Sequence, residues 1–226
     1  MILLSDLQEK IGYHFHNLDL LKQALTHRSY LNENPKFTLG HNERLEFYGD
    51  AVLEDVVTAY LFHNYKDKNE GELTNLRASL VRGAHLAQVA DKIQLDQCLN
   101  ISKGEKNDAT AKAYITANAI EALIAALRLD GGYEVSQKFI EDFIIADLEK
   151  IIAEESFIDA KSLLQEKSQE QFSITPNYTV VSEEGPDHNK LFEVAVFIGS
   201  KEYARGRGSS KQKAEQDAAK KALDNV

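Results

Sequence analysis

This 226-residue sequence is short of cysteine, of long apolar runs and of net positive charge, and each shortage excludes something. A lone cysteine, Cys98, cannot close an internal disulfide. No stretch approaches the roughly 20 apolar residues of a membrane span, and the chain opens without a basic segment leading into an apolar signal core. A cytoplasmic protein with no membrane attachment is expected. Internal repeats and low-complexity tracts are missing too. The net charge of −10 argues at first sight against a polyanionic partner, but the charge is uneven. Residues 156–226 hold ten Lys+Arg and eleven Asp+Glu, so nearly all the excess lies before them. Within 205–221, six basic residues (Arg205, Arg207, Lys211, Lys213, Lys220, Lys221) face two acidic ones. Nucleic-acid binding depends on local faces, not totals.

The most informative segment runs from His41 to Leu53. It places Glu43, Glu46 and Asp50 at spacings of three and four residues, which on a helix project from one face. Around them Leu45, Phe47, Val52, Leu53, Val56 and Val57 are apolar, so the helix belongs to a core. Like charges beside a core repel unless protonated or neutralised by a cation. With no Cys or His among them, these oxygen donors suit Mg²⁺ or a similar divalent ion. A second helix offers Asn118 and Glu121 on one face, with alanines at 117, 119 and 122 small enough for close approach. Glu46, Asp50, Asn118 and Glu121 together form an all-oxygen set. Such a set can activate water and stabilise charge on a phosphate.

The pattern divides the chain. Residues 1–153 show helical spacing, with helices expected through 110–129, ended by Gly131-Gly132, and across 134–153. A polar linker is expected at 154–157. Over 158–226 a helix at 158–170 precedes alternating strands at Asn177–Ser182, Leu191–Ile198 and 201–205, and a last helix starts near Ser210. The fold class is therefore multidomain: an all-α domain, then a small α+β domain of order α-β-β-β-α. Ser209-Ser210 signals a helix cap, and Lys211 and Lys213 oppose the helix dipole at roughly 0.3–1 kcal/mol each. An anion facing that end would offset the cost, with Gly206 and Gly208 expected to let backbone approach it.

His41–Leu53 resembles the signature segment of bacterial ribonuclease III. The likeness extends to Ala24–Tyr30, Glu70–Leu73, Ser102–Glu105 and Leu129–Gly132, while residues 158–226 resemble a double-stranded-RNA-binding domain. The resemblance implies a homodimeric, Mg²⁺-dependent endonuclease, with Mn²⁺ able to stand in. It would cut double-stranded RNA, not DNA, to 5′-phosphate and 3′-hydroxyl ends, processing ribosomal precursors and other transcripts. It makes Glu46, Asp50 and Glu121 metal-binding or catalytic acids, Asp50 and Glu121 foremost, and Glu43 a supporting acid. Phe47 becomes a dimer contact. Ser162, Gln165 and Gln169 on one helix, His188 in a loop, and Ser210 and Lys211 at the last helix become RNA contacts, reading hydroxyls and phosphates of A-form duplex. Three departures stand out. Asn118 falls where better-known members carry Asp, Gln212 replaces one of a lysine pair, and Ala113-Tyr114 replace Lys-Ser. The first leaves open a non-catalytic RNA-binding regulator; more remotely, a nucleotide phosphohydrolase would also use the acidic set.

Overall fold

The computed structural model describes residues 4–153, 160–186 and 190–226. The chain forms two compact units, Met1–Phe157 and Ile158–Val226, each with its own apolar core. The described part of the first unit is helical: α1 Leu4–Ile11, α2 Leu18–Ala24, α3 Arg28–Glu33, α4 Glu43–Asn64, α5 Glu70–Val81, α6 Gly83–Ile93, α7 Lys103–Lys106, α8 Ala109–Gly131, α9 Tyr133–Phe143 and α10 Leu148–Ala153. Short 3-10 turns follow α6 and α9.

Helix α8 is the axis of this unit. It is capped at its start by Asp108, whose side chain accepts from the backbone N–H groups of Thr110 and Ala111. Ile115–Ala117, Ala119, Ile120 and Ala122–Leu127 are all buried. A helix apolar on nearly every side belongs in the middle of a bundle. As the glycine pair predicts, α8 ends at Gly131, and Gly132 turns the chain with φ +87°. Helix α4 lies against it, burying Leu45, Gly49, Val52, Leu53, Val56, Val57 and Leu61 at three- and four-residue steps. At Gly49 the backbones come so close that an added Cβ would overlap the Glu121 carbonyl oxygen.

The single helix expected across 134–153 is broken at Ile144–Asp147. The Ile144 carbonyl accepts a hydrogen bond from buried His85 Nε2 at 3.2 Å. That breaks the helical ladder and lets both Ile144 and Ile145 turn into the core.

In the second unit, α11 (Ala160–Phe172) and α12 (Lys211–Leu223) accompany an antiparallel sheet of order β1-β2-β3, from Asn177–Glu184, Leu191–Ile198 and Lys201–Gly208. Val194, Val196 and Ile198 alternate into the interior, and Ala214, Ala218, Ala219 and Ala222 form the buried face of α12. Gly206 and Gly208 do not open a path to a ligand. A Cβ on Gly206 would overlap backbone atoms of Ala214 and Ala218, and one on Gly208 would press on Lys213 and Ala214. They are small because β3 packs directly on α12.

Gly49→Ala should cost about 3 kcal/mol, because backbone rather than a mobile side chain fills the space. Gly104→Ala, with nothing within 4 Å of the added carbon, should instead stabilise by about 0.5 kcal/mol. Denaturant titration of the two variants checks the contrast.

Candidate active site

The start of α4 is anchored before its acids begin. Buried Asn42 donates through its backbone N–H to the Thr26 carbonyl at 2.9 Å and through Nδ2 to Ala24 at 3.1 Å. From that fixed point Glu43, Glu46 and Asp50 follow along one face, and the crossing at Gly49 carries Glu46 and Asp50 to the face of α8 that bears Asn118 and Glu121.

The electrostatics show that these groups feel one another. Burial, then the Asp50 charge, then the Glu46 charge push the Glu121 carboxyl up to about 7. Glu46 is also raised, first by burial and then by Glu43, with Asp50 adding to it; the Asn118 amide and His27 pull it back. Among the described residues no Lys, Arg or His pairs with Glu46, Asp50 or Glu121, whereas Glu43 lies 3.4 Å from Arg28 and 3.8 Å from His41. Glu43 thus has basic neighbours of its own, whereas the other three carboxylates have no ion pair among the described residues. Among the described residues no three His, Cys, Asp or Glu side chains stand ready-made around one ion. The set depends on an amide for its fourth member, and its charges repel. Its chemistry nevertheless fits a hard divalent cation: all donors are oxygen, and the unbalanced charge that raises Glu46 and Glu121 is what a cation relieves.

One participant is not among the candidates read from sequence. His27, which lowers the Glu46 pKa, is held by its backbone N–H bond to Asn100 (3.0 Å) and by Nδ1 contacts to Ser29 Oγ (2.9 Å) and Glu105 (3.2 Å). Its signal in the sequence is the Ala24–Tyr30 segment, which resembles the family's N-terminal block. Only tertiary packing brings Glu105, in α7, beside it.

Phe47 sits on α4 but is 82% exposed, so it is no core residue. It borders a depression lined by Leu20, Gln23, His41, Tyr48 and Leu129.

On the second unit, Ser162, Gln165 and Gln169 lie along one exposed face of α11. Ser162 and Gln165 share a polar depression with Gln212 and Gln216 of α12, so the two helices present one surface. Ser210 caps α12, its side chain accepting from Lys213 N–H at 3.2 Å. Lys211 is exposed, with Nζ 5.9 Å from the Phe192 ring centre. His188 lies outside the described residues.

Without divalent ions the raised Glu121 carboxyl makes the folded state bind more protons than the unfolded one. Stability should therefore fall as pH rises from about 4.5, the ordinary value, through about 7. Glu121→Gln should melt higher than the parent at pH 8, with the gap closing toward pH 5, and added divalent ion should raise the melting temperature of the parent more than that of the variant. Thermal melts with and without chelator check this.

Residues 17–148 match the family model described as "Ribonuclease-III-like", and residues 160–226 match the double-stranded RNA binding motif. Proteins named ribonuclease 3 from Dehalococcoides mccartyi and Clostridium tetani are 42% and 43% identical, each covering 99% of this chain and 94% of the relative. The solved nuclease domain of ribonuclease III from Campylobacter jejuni superposes with a TM-score of 0.58 at 35% identity, over 64% of this chain and 97% of that one. With likeness in sequence along both units and in structure over the helical one, this chain belongs to the ribonuclease III family.

Proposed function

We propose that this chain is a double-strand-specific endoribonuclease that acts as a homodimer with Mg²⁺. The observation that carries the reading is the uncompensated oxygen set of Glu46, Asp50, Asn118 and Glu121, in one chain with a double-stranded RNA binding motif. The family's nucleases are metal-dependent; the all-oxygen set favours Mg²⁺, with Mn²⁺ as its substitute. When bound, the cation supplies charge neutralisation at the scissile phosphate and lowers the pKa of a coordinated water. The protein's part is to gather the donors. Glu46, Asp50 and Glu121 bring the charge and Asn118 a neutral oxygen, all held by the α4–α8 crossing. Asn118 does not make this a mere binder, since Glu46, Asp50 and Glu121 are all retained and the relatives named ribonuclease 3 span the same length.

Substrate choice belongs to the second unit. A-form RNA hides its bases in a deep, narrow major groove, so duplex is recognised by hydroxyls and phosphate spacing across the minor groove. Ser162, Gln165 and Gln169 suit the hydroxyls, Lys211 and Ser210 the phosphates between, and His188 a neighbouring groove. This gives shape recognition with little base specificity, as processing of ribosomal precursors and other structured transcripts requires. Among the described residues no helix is long and apolar enough to cross a membrane, in keeping with a cytoplasmic site of action. The Campylobacter jejuni nuclease-domain structure concerns a region involved in dimer formation. Here an 82% exposed phenylalanine beside an apolar depression is what a two-fold contact needs.

Long RNA duplex should be cut when Mg²⁺ is present and left intact with chelator, and DNA duplex should survive both. Glu121→Gln should slow cutting more than about 100-fold while a gel shift still shows duplex binding; unchanged cutting would remove Glu121 from the site. Asn118→Asp should lower the Mg²⁺ concentration for half-maximal cutting by about tenfold. Phe47→Asp should turn dimers into monomers in sedimentation, a dimeric variant refuting the assignment of Phe47.

A further inference from the structure

Between Tyr114 and Leu127, only three residues of α8 escape burial: Tyr114, Asn118 and Glu121. Two belong to the oxygen set. The third is an aromatic ring 68% exposed, one turn before Asn118 on the same stripe. Two tyrosine hydroxyls are tied into the fold, Tyr13 donating to Asp130 at 2.9 Å and Tyr65 to Glu149 at 2.8 Å. Tyr114 forms no hydrogen bond or ring contact among the described residues. A large apolar ring left in water on the one open stripe of a buried helix contributes nothing to the fold that explains it.

Resting on the activity proposed above, we infer that Tyr114 is a substrate-binding residue, its hydroxyl bonding a ribose 2′-hydroxyl of the RNA strand lying across the acidic set. Four helical residues span about 6 Å along the axis, which puts the ring beside the site rather than in it. Side chains on a helix lean toward its N-terminus, so the ring points away from Glu121. Tyr114 therefore meets the strand beside the scissile phosphate, not at it. Its chemistry suits that place. The ring offers a flat apolar face to a sugar and the hydroxyl both gives and takes a hydrogen bond, and a 2′-hydroxyl does the same. Being neutral, the phenol is not drawn into ion pairing with the nearby carboxylates.

The test is steady-state cleavage of short RNA duplexes by the parent, Tyr114→Phe and Tyr114→Ala, repeated with single 2′-deoxy substitutions moved along the strand. Tyr114→Phe should raise KM about threefold to tenfold, as for one hydrogen bond, with kcat unchanged, and Tyr114→Ala should raise it further. In the parent, one deoxy position away from the cut should raise KM; in Tyr114→Phe that position should no longer matter. Parental KM in both variants, or the same deoxy profile in parent and Tyr114→Phe, overturns the inference while leaving the activity intact. A parent that cuts no duplex overturns the activity itself, and the inference with it.

Discussion

The first unit depends on two helix backbones meeting at Gly49. There α4 lies against the Glu121 carbonyl with no room for a single added carbon. The contact is steric, but its consequence is electrostatic. It carries Glu46 and Asp50, one turn apart on α4, to the stretch of α8 that bears Asn118 and Glu121. Burial and the neighbouring carboxylate charges then raise Glu46 and push Glu121 up to about 7. Among the described residues no Lys, Arg or His forms an ion pair with them, so the fold carries an unfavourable charge that a divalent cation would relieve. Stability is given up at this crossing.

Two carboxylates three residues apart show how finely this is divided. Glu43 is exposed and has Arg28 and His41 nearby. Glu46, one turn further into the bundle, has only the Asn118 amide and His27 to moderate it. His27 in turn is fixed by Ser29 and Glu105, so helices remote in sequence adjust a single carboxylate. The Asn118 amide keeps an oxygen in the set while lessening its repulsion.

The second unit solves a packing problem in the same way. Gly206 and Gly208 let β3 lie on α12 as Gly49 lets α4 lie on α8, and the alanine face of α12 completes the fit. Docking α12 so closely keeps its N-terminal turn on the surface shared with Ser162 and Gln165. Net charge says little about such a surface. The excess of acid belongs to the first unit, not to the reader.

Much was legible before any coordinates. The three-and-four spacing of Glu43, Glu46 and Asp50, the alanines around Asn118 and Glu121, the glycine stop after α8 and the alternation in β2 are local patterns, and local physics reads them. What stayed hidden depends on partners far along the chain. The break at Ile144 needs His85, the role of His27 needs Glu105, and Gly206 and Gly208 mean helix packing rather than ligand approach only once α12 is seen against β3. Phe47 has apolar neighbours along the chain, yet its ring faces outward, in keeping with the contact that the family resemblance implies for it. The sequence by itself determined which residues are acidic, apolar or small and at what period they recur, because those properties travel with each residue. Only the tertiary structure decided which acids meet, which are neutralised and which rings are left in water, because burial and Coulomb energy depend on distances between segments that no local pattern sets.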